Sequence, residues 1–111
     1  MSEVRLLYAA SEHDADILYA SGFFAPDPFL CLVRRGRVIL VMSDLEMDRA
    51  KRESKASRVW SWTRLAKAAE ARDPSAGPAR AEHVIVECLR RLGVRRAEVP
   101  ASFPLGLARR L

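Results

Sequence analysis

The chain has 111 residues, half of them hydrophobic and 30% charged, with 19 basic against 14 acidic side chains and a net charge of +5. That length fits one domain with a modest core, and the composition excludes intrinsic disorder. The apolar runs reach only strand length, far short of the ~20 residues that cross a bilayer as a helix, so no membrane partner is expected.

Arg5 to Ala9 (RLLYA) is a short apolar segment that runs into a helix signal, and it reads as a first strand. Ser11 can cap the next helix, with Asp14 three residues on in a capping-box arrangement; Glu12 and Asp14 suit the helix dipole. Ala15, Leu18 and Tyr19 follow helical spacing. Gly22 fits the position just past a helix end, where positive φ is needed. Phe23 to Pro28 (FFAPDP) cannot be regular structure. Pro26 and Pro28 remove donors, fix φ and push their preceding residues towards extended backbone. A stiff extended loop follows, with two large aromatics at its start.

Phe29 to Val33 (FLCLV) and Val38 to Met42 (VILVM) are continuous apolar runs separated by Arg34, Arg35, Gly36 and Arg37. Gly36 supplies the turn, so the pair reads as a β-hairpin. Runs that do not alternate imply strands covered on both faces. Ser43 then opens a helix with SDLE. Ser43 and Glu46 form a capping box, and Met42 and Met47 take the hydrophobic-staple positions. The helix is expected to continue to Ala56, with Asp48 and Arg52 as an attractive i,i+4 pair.

Val59 and Trp60 suggest a short strand, Thr63 to Arg72 a helix, and Asp73 to Pro78 a loop. Ala79 to Leu92 carries the clearest helical period. Ala81, Val84, Ile85, Cys88, Leu89 and Leu92 make one apolar stripe that Gly93 ends. Arg96 to Val99 reads as a strand stopped by Pro100, and Pro104 opens a last short helix. The fold class expected is α/β: a three-layer sandwich, a mixed β-sheet with helices on both faces. Its hairpin should be antiparallel and its strand–helix–strand crossovers parallel.

No catalytic constellation is visible. His13 and His83 are the only histidines and have no metal-ligand spacing, so no metal site is expected in this chain. Cys31 and Cys88 sit inside apolar patterns and read as buried free thiols of a reducing compartment. With no secretory signal at the start, a cytoplasmic protein is expected. The acids Asp44, Glu46 and Asp48 complement a helix start. The arginine pairs are scattered over turns and helix ends, which reads as solvated surface and not as a nucleic-acid stripe. Of Phe23 and Phe24, one ring is expected in the core and the other is free to line a groove.

Several segments together resemble a known family. They are Ala15-Asp16-Ile17-Leu18-Tyr19 before Gly22-Phe23, Phe24-Ala25-Pro26-Asp27-Pro28-Phe29, Ser43-Asp44-Leu45-Glu46 with Asp48-Arg49-Ala50, and the closing Val99-Pro100-Ala101-Ser102-Phe103-Pro104-Leu105. They resemble the N-terminal domain of the creatinase/prolidase/aminopeptidase P enzymes, the pita-bread metallopeptidases that include Xaa-Pro aminopeptidases. The likeness weakens between Ser57 and Pro78.

The resemblance implies that residues 1–111 form a single creatinase N-terminal-like domain, with the catalytic C-terminal domain absent. The family binds two divalent metal ions in that other domain, through two Asp, one His and two Glu. No catalytic residue carries over to this chain, and it needs no cofactor of its own. The implied role is dimerisation and substrate gating, with a second copy or its own catalytic domain as partner. The substrate of the full-length parent would be a proline-containing peptide. Phe23, Phe24, Pro26, Asp27 and Pro28 are the expected facing surface. The alternative is a stand-alone protein- or polyanion-binding module on the same fold.

Overall fold

Two apolar strands joined by a tight turn form the centre of the molecule. The structure is a computed structural model that describes residues 4–100 and 103–110. Met1–Glu3, Ala101, Ser102 and Leu111 lie outside the described residues, so the start of the chain and part of its closing motif are not described. Strands β2 (Phe29–Arg34) and β3 (Arg37–Met42) pair antiparallel, with Leu32 opposite Ile39 and Leu30 opposite Val41. Arg35 and Gly36 between them have φ of 51° and 78°. Two successive left-handed residues match the twist of the flanking strands, which is why so short a turn closes this hairpin.

Strand β1 (Val4–Ala9) lies antiparallel on the other side of β2. Strand β4 (Arg58–Ser61) adds parallel to β3, and β5 (Ala97–Glu98) adds parallel to β1. The order is β4-β3-β2-β1-β5, a mixed sheet. Alternation along the strands divides its side chains into two cores. Leu6, Leu30, Leu32, Ile39 and Val41 face α3 (Trp62–Arg72), α4 (Ala81–Leu92) and α5 (Leu105–Arg110). Leu7, Phe29, Cys31, Leu40 and Met42 face α1 (Ala15–Ser21) and α2 (Met47–Glu53). The unbroken apolar runs thus do mean strands covered on both faces. Each fully buried Leu contributes roughly 1.5–3 kcal/mol, so the two cores hold most of the fold's stability.

Several local expectations fail, each for a tertiary reason. Ser11 does not cap the first helix. Asp14 does, its carboxylate accepting from the Ile17 N–H at 3.0 Å. The buried side of α1 carries Ile17 and Ser21, while Leu18 and Tyr19 face solvent. Ser21 can be buried because its hydroxyl is satisfied. It donates to the Ile17 carbonyl at 2.6 Å and accepts from the Phe23 N–H at 3.1 Å. Gly22 ends the helix as expected, with φ of 62° and its N–H on the Leu18 carbonyl.

The capping box at Ser43 does not form either. Residues 44–46 make a turn in which the Glu46 N–H donates to the Ser43 carbonyl at 3.0 Å, and α2 starts at Met47. The Glu46 carboxylate goes to Arg49 instead of a backbone N–H. The helix stops at Glu53, short of Ala56, because the Lys55 N–H is drawn to the Ser21 carbonyl at 2.8 Å. Arg49, paired with Glu46 and Glu53, takes the place of the expected Asp48–Arg52 pair, which is not formed among the described residues.

One connection also departs from expectation. β1 and β2 flank a helix yet run antiparallel, with Ala9 opposite Phe29. The seven residues of α1 advance the chain only about 10 Å. The extended loop after it can cover roughly twice that distance, so it cancels the helix and returns the chain to the same end of the sheet. The β3–α2–β4 crossover is parallel as expected.

Candidate functional site

The loop that returns the chain, residues 23–28, is bolted down at three points. The buried Ser11 hydroxyl donates to the Phe23 carbonyl at 2.6 Å and accepts from the Ala25 N–H at 2.7 Å. The Ser21 hydroxyl accepts from the Phe23 N–H. From outside, both terminal nitrogens of Arg49 donate to the Phe24 carbonyl at 3.2 Å. The ring of Phe23 is buried and meets Phe29 edge to face, with centroids 5.8 Å apart. The next ring, Phe24, is 56% exposed. One aromatic is therefore core and the other is free.

Pro26, Asp27 and Pro28 project beyond these anchors and form one wall of an open groove of about 470 Å³. The groove lies at the end of the sheet where β1 and β3 finish and β2 begins. The turn carrying Leu45, which is 94% exposed, and the first residues of α3 form the facing side. Tyr8 and Trp62 stack at its base with ring centroids 6.2 Å apart. Partial burial raises the Tyr8 phenol above its usual pKa, so it stays a neutral hydrogen-bonding group. Asp27, Glu46 and Arg49 supply the charge at the groove.

The sequence-predicted residues separate here. Pro26, Asp27 and Pro28 line the groove together; Phe23 lies beneath it, and Phe24 does not line it. Tyr8, Leu45, Arg49 and Trp62 were not legible as site residues. They come from four separate segments and carry no shared spacing that a sequence pattern could expose.

The residues present do not fit a metal centre. Among the described residues no group of three or more His, Cys, Asp or Glu side chains could hold an ion. Asp44 accepts from the Ser61 hydroxyl at 2.7 Å, and Glu46 is bound to Arg49. His83 accepts the Arg80 N–H at 2.8 Å in a helix-start bridge, and His13 is exposed beside Glu12. Burial pushes the thiols of Cys31 and Cys88 up to about 12, so neither is a thiolate at neutral pH. Among the described residues no helix is long and apolar enough to cross a membrane.

The family model described as "Creatinase/Prolidase N-terminal domain" matches residues 1–111. Among solved structures, the X-Pro aminopeptidase of Thermotoga maritima MSB8 is similar with a TM-score of 0.68 and 16% identity. The match covers 97% of this chain and 27% of that one, so the chain spans about a quarter of that enzyme's length. At such identity the likeness is one of fold. Comparison with curated proteins finds no match.

Proposed function

This chain belongs to the creatinase/prolidase N-terminal domain family, and on that premise we propose that it is the non-catalytic N-terminal domain of an Xaa-Pro aminopeptidase-like metallopeptidase. Its work is dimerisation and substrate gating. The surface that performs it is the exposed Phe24 with Pro26, Asp27 and Pro28; Phe23, expected on that surface, is buried and supports the loop from the core. The two divalent metal ions and the chemistry belong to a companion catalytic domain, and the compartment is the cytoplasm.

The observation that carries this reading is the anchoring of the loop. Hydrogen bonds from Ser11, Ser21 and Arg49 hold its start, while Pro26, Asp27 and Pro28 stand clear as a groove wall. A wall that is already ordered loses little conformational entropy when something docks on it. Proline and aromatic surface there suits an apolar partner face or the proline-containing end of a peptide.

Two measurements test this. The purified chain, supplied with manganese or cobalt and an Xaa-Pro dipeptide, is expected to show no hydrolysis; chelator-sensitive turnover would refute the non-catalytic role. In the protein encoded by the whole reading frame, Phe24→Asp and Pro28→Ala are expected to change either the dimer mass or the preference between dipeptides and longer peptides. If both stay as in the parent, the gating and dimerisation role is wrong.

A further inference from the structure

Strand β4 closes one side of the sheet. Among the described residues it pairs only with β3, and no described strand lies beside the outward N–H and C=O groups of Arg58–Ser61. Two adjoining hollows run along this edge, of about 460 and 420 Å³. Val59 and Trp60 are half-buried and line both. The walls carry Lys51 from α2, Arg58 from β4, Arg64 from α3 and Arg91 from α4. All four are exposed, and none forms an ion pair with a described residue. Two acids share the space. They are Asp44, which accepts the Ser61 hydroxyl, and Asp48, two negative charges against the four positive ones. The edge is therefore net positive, and its four cations come from four elements that only the fold brings together.

We propose that the open edge of β4 is a docking strand for an extended acidic segment of a partner protein. The segment would pair backbone to backbone with Val59–Ser61, and its carboxylates would meet Lys51, Arg58, Arg64 and Arg91. An edge strand supplies a ready ladder of donors and acceptors, while side chains at alternate positions provide the selection. Charge complementarity decides the occupant. A second copy pairing edge to edge would bring these cations against their own equivalents, which opposes self-association. This inference is independent of the groove at the other loop.

The test uses a fluorescein-labelled peptide alternating threonine and glutamate, followed by anisotropy at low salt. Saturable binding is expected. The double variant Arg58→Glu with Arg64→Glu should weaken it at least about tenfold, since both rim charges are reversed. A second probe of the same sequence, methylated on alternate backbone nitrogens, needs no change to the protein. It should also bind at least about tenfold more weakly, because its donors to the edge are gone. Equal binding of the methylated probe would overturn the proposal, since charge alone would then explain it. So would binding of single-stranded oligothymidylate as tight as the peptide, or no peptide binding at low salt.

Discussion

The guanidinium carbon of Arg49 lies 4.2 Å from the centroid of the Phe23 ring, so a cation on α2 is stacked on the core aromatic that begins the groove loop. The same side chain donates to the Phe24 carbonyl and pairs with Glu46 and Glu53. The hydrogen bond to Glu46 and the nearby charge hold its pKa above the ordinary arginine value. One residue therefore joins the loop, the turn before α2 and α2 itself.

Arg49→Met is expected to lower stability by about 1–2 kcal/mol, the sum of a partly exposed cation–π contact and surface ion pairs. Arg49→Lys should recover less than half, because a compact ammonium lacks the planar fork that donates to the Phe24 carbonyl and Glu46 while stacking on the Phe23 ring. Urea unfolding of the three proteins checks this. The Met variant should also be cut faster by chymotrypsin at Phe24, the exposed ring of a loosened loop.

Two serines separate local from tertiary roles. Ser11→Ala removes the hydroxyl that bridges Phe23 and Ala25 and leaves a buried N–H without its partner. A loss of about 2–3 kcal/mol is expected. Ser43 is exposed and caps nothing. Ser43→Ala should change stability by less than about 0.5 kcal/mol, the range of ordinary surface substitutions. Equal losses in a denaturant series would contradict the assignment of both residues.

Glu87 is buried on α4 and receives Arg72 of α3, whose Nε and second terminal nitrogen donate at 2.7 and 3.3 Å. Arg72→Met strands a buried carboxylate and should lower stability, by less than loss of a fully buried pair because Arg72 is half exposed. Adding Glu87→Leu should restore much of that loss, since an apolar pair leaves no charge unpaired. A double-mutant cycle measures it. If the second change deepens the loss additively, the pair is not coupled.

The two thiols predict an alkaline limit. Their ordinary value is 9.0, and burial raises both to about 12 in the folded chain. The folded state thus favours the neutral form. Each thiol's contribution is complete below pH 9 and is lost as pH rises towards 12. The slope is roughly 1.4 kcal/mol per pH unit for each thiol. Between pH 8 and 10.5 the parent should lose more stability than Cys31→Val with Cys88→Ala. Identical slopes would show that the thiols are not desolvated.

Strand and helix identity were largely legible because they rest on short-range chemistry. FLCLV and VILVM could only be doubly covered strands, and Gly22, Gly36 and Gly93 sit where φ is positive. The stripe Val84, Ile85 and Cys88 is buried as its period requires. The faults lie where a side chain had two possible partners. Asp14 and Ser11 competed for one cap, and Glu46 chose Arg49 over a backbone N–H. Spacing cannot decide such contests, because the winning partner is set by which segments arrive nearby.

For the loop of residues 23–28, the sequence alone determined its rigidity: two prolines and an Asp between them permit little else. Tertiary structure decided what that rigidity is for. It buried Phe23, exposed Phe24, reversed the chain so that β1 and β2 run antiparallel, and set Pro26 to Pro28 opposite Leu45 and Trp62. The physical reason is range. Proline acts on its own bond and its neighbour's, whereas the groove depends on hydrogen bonds and an arginine that reach across 12 to 25 positions of sequence.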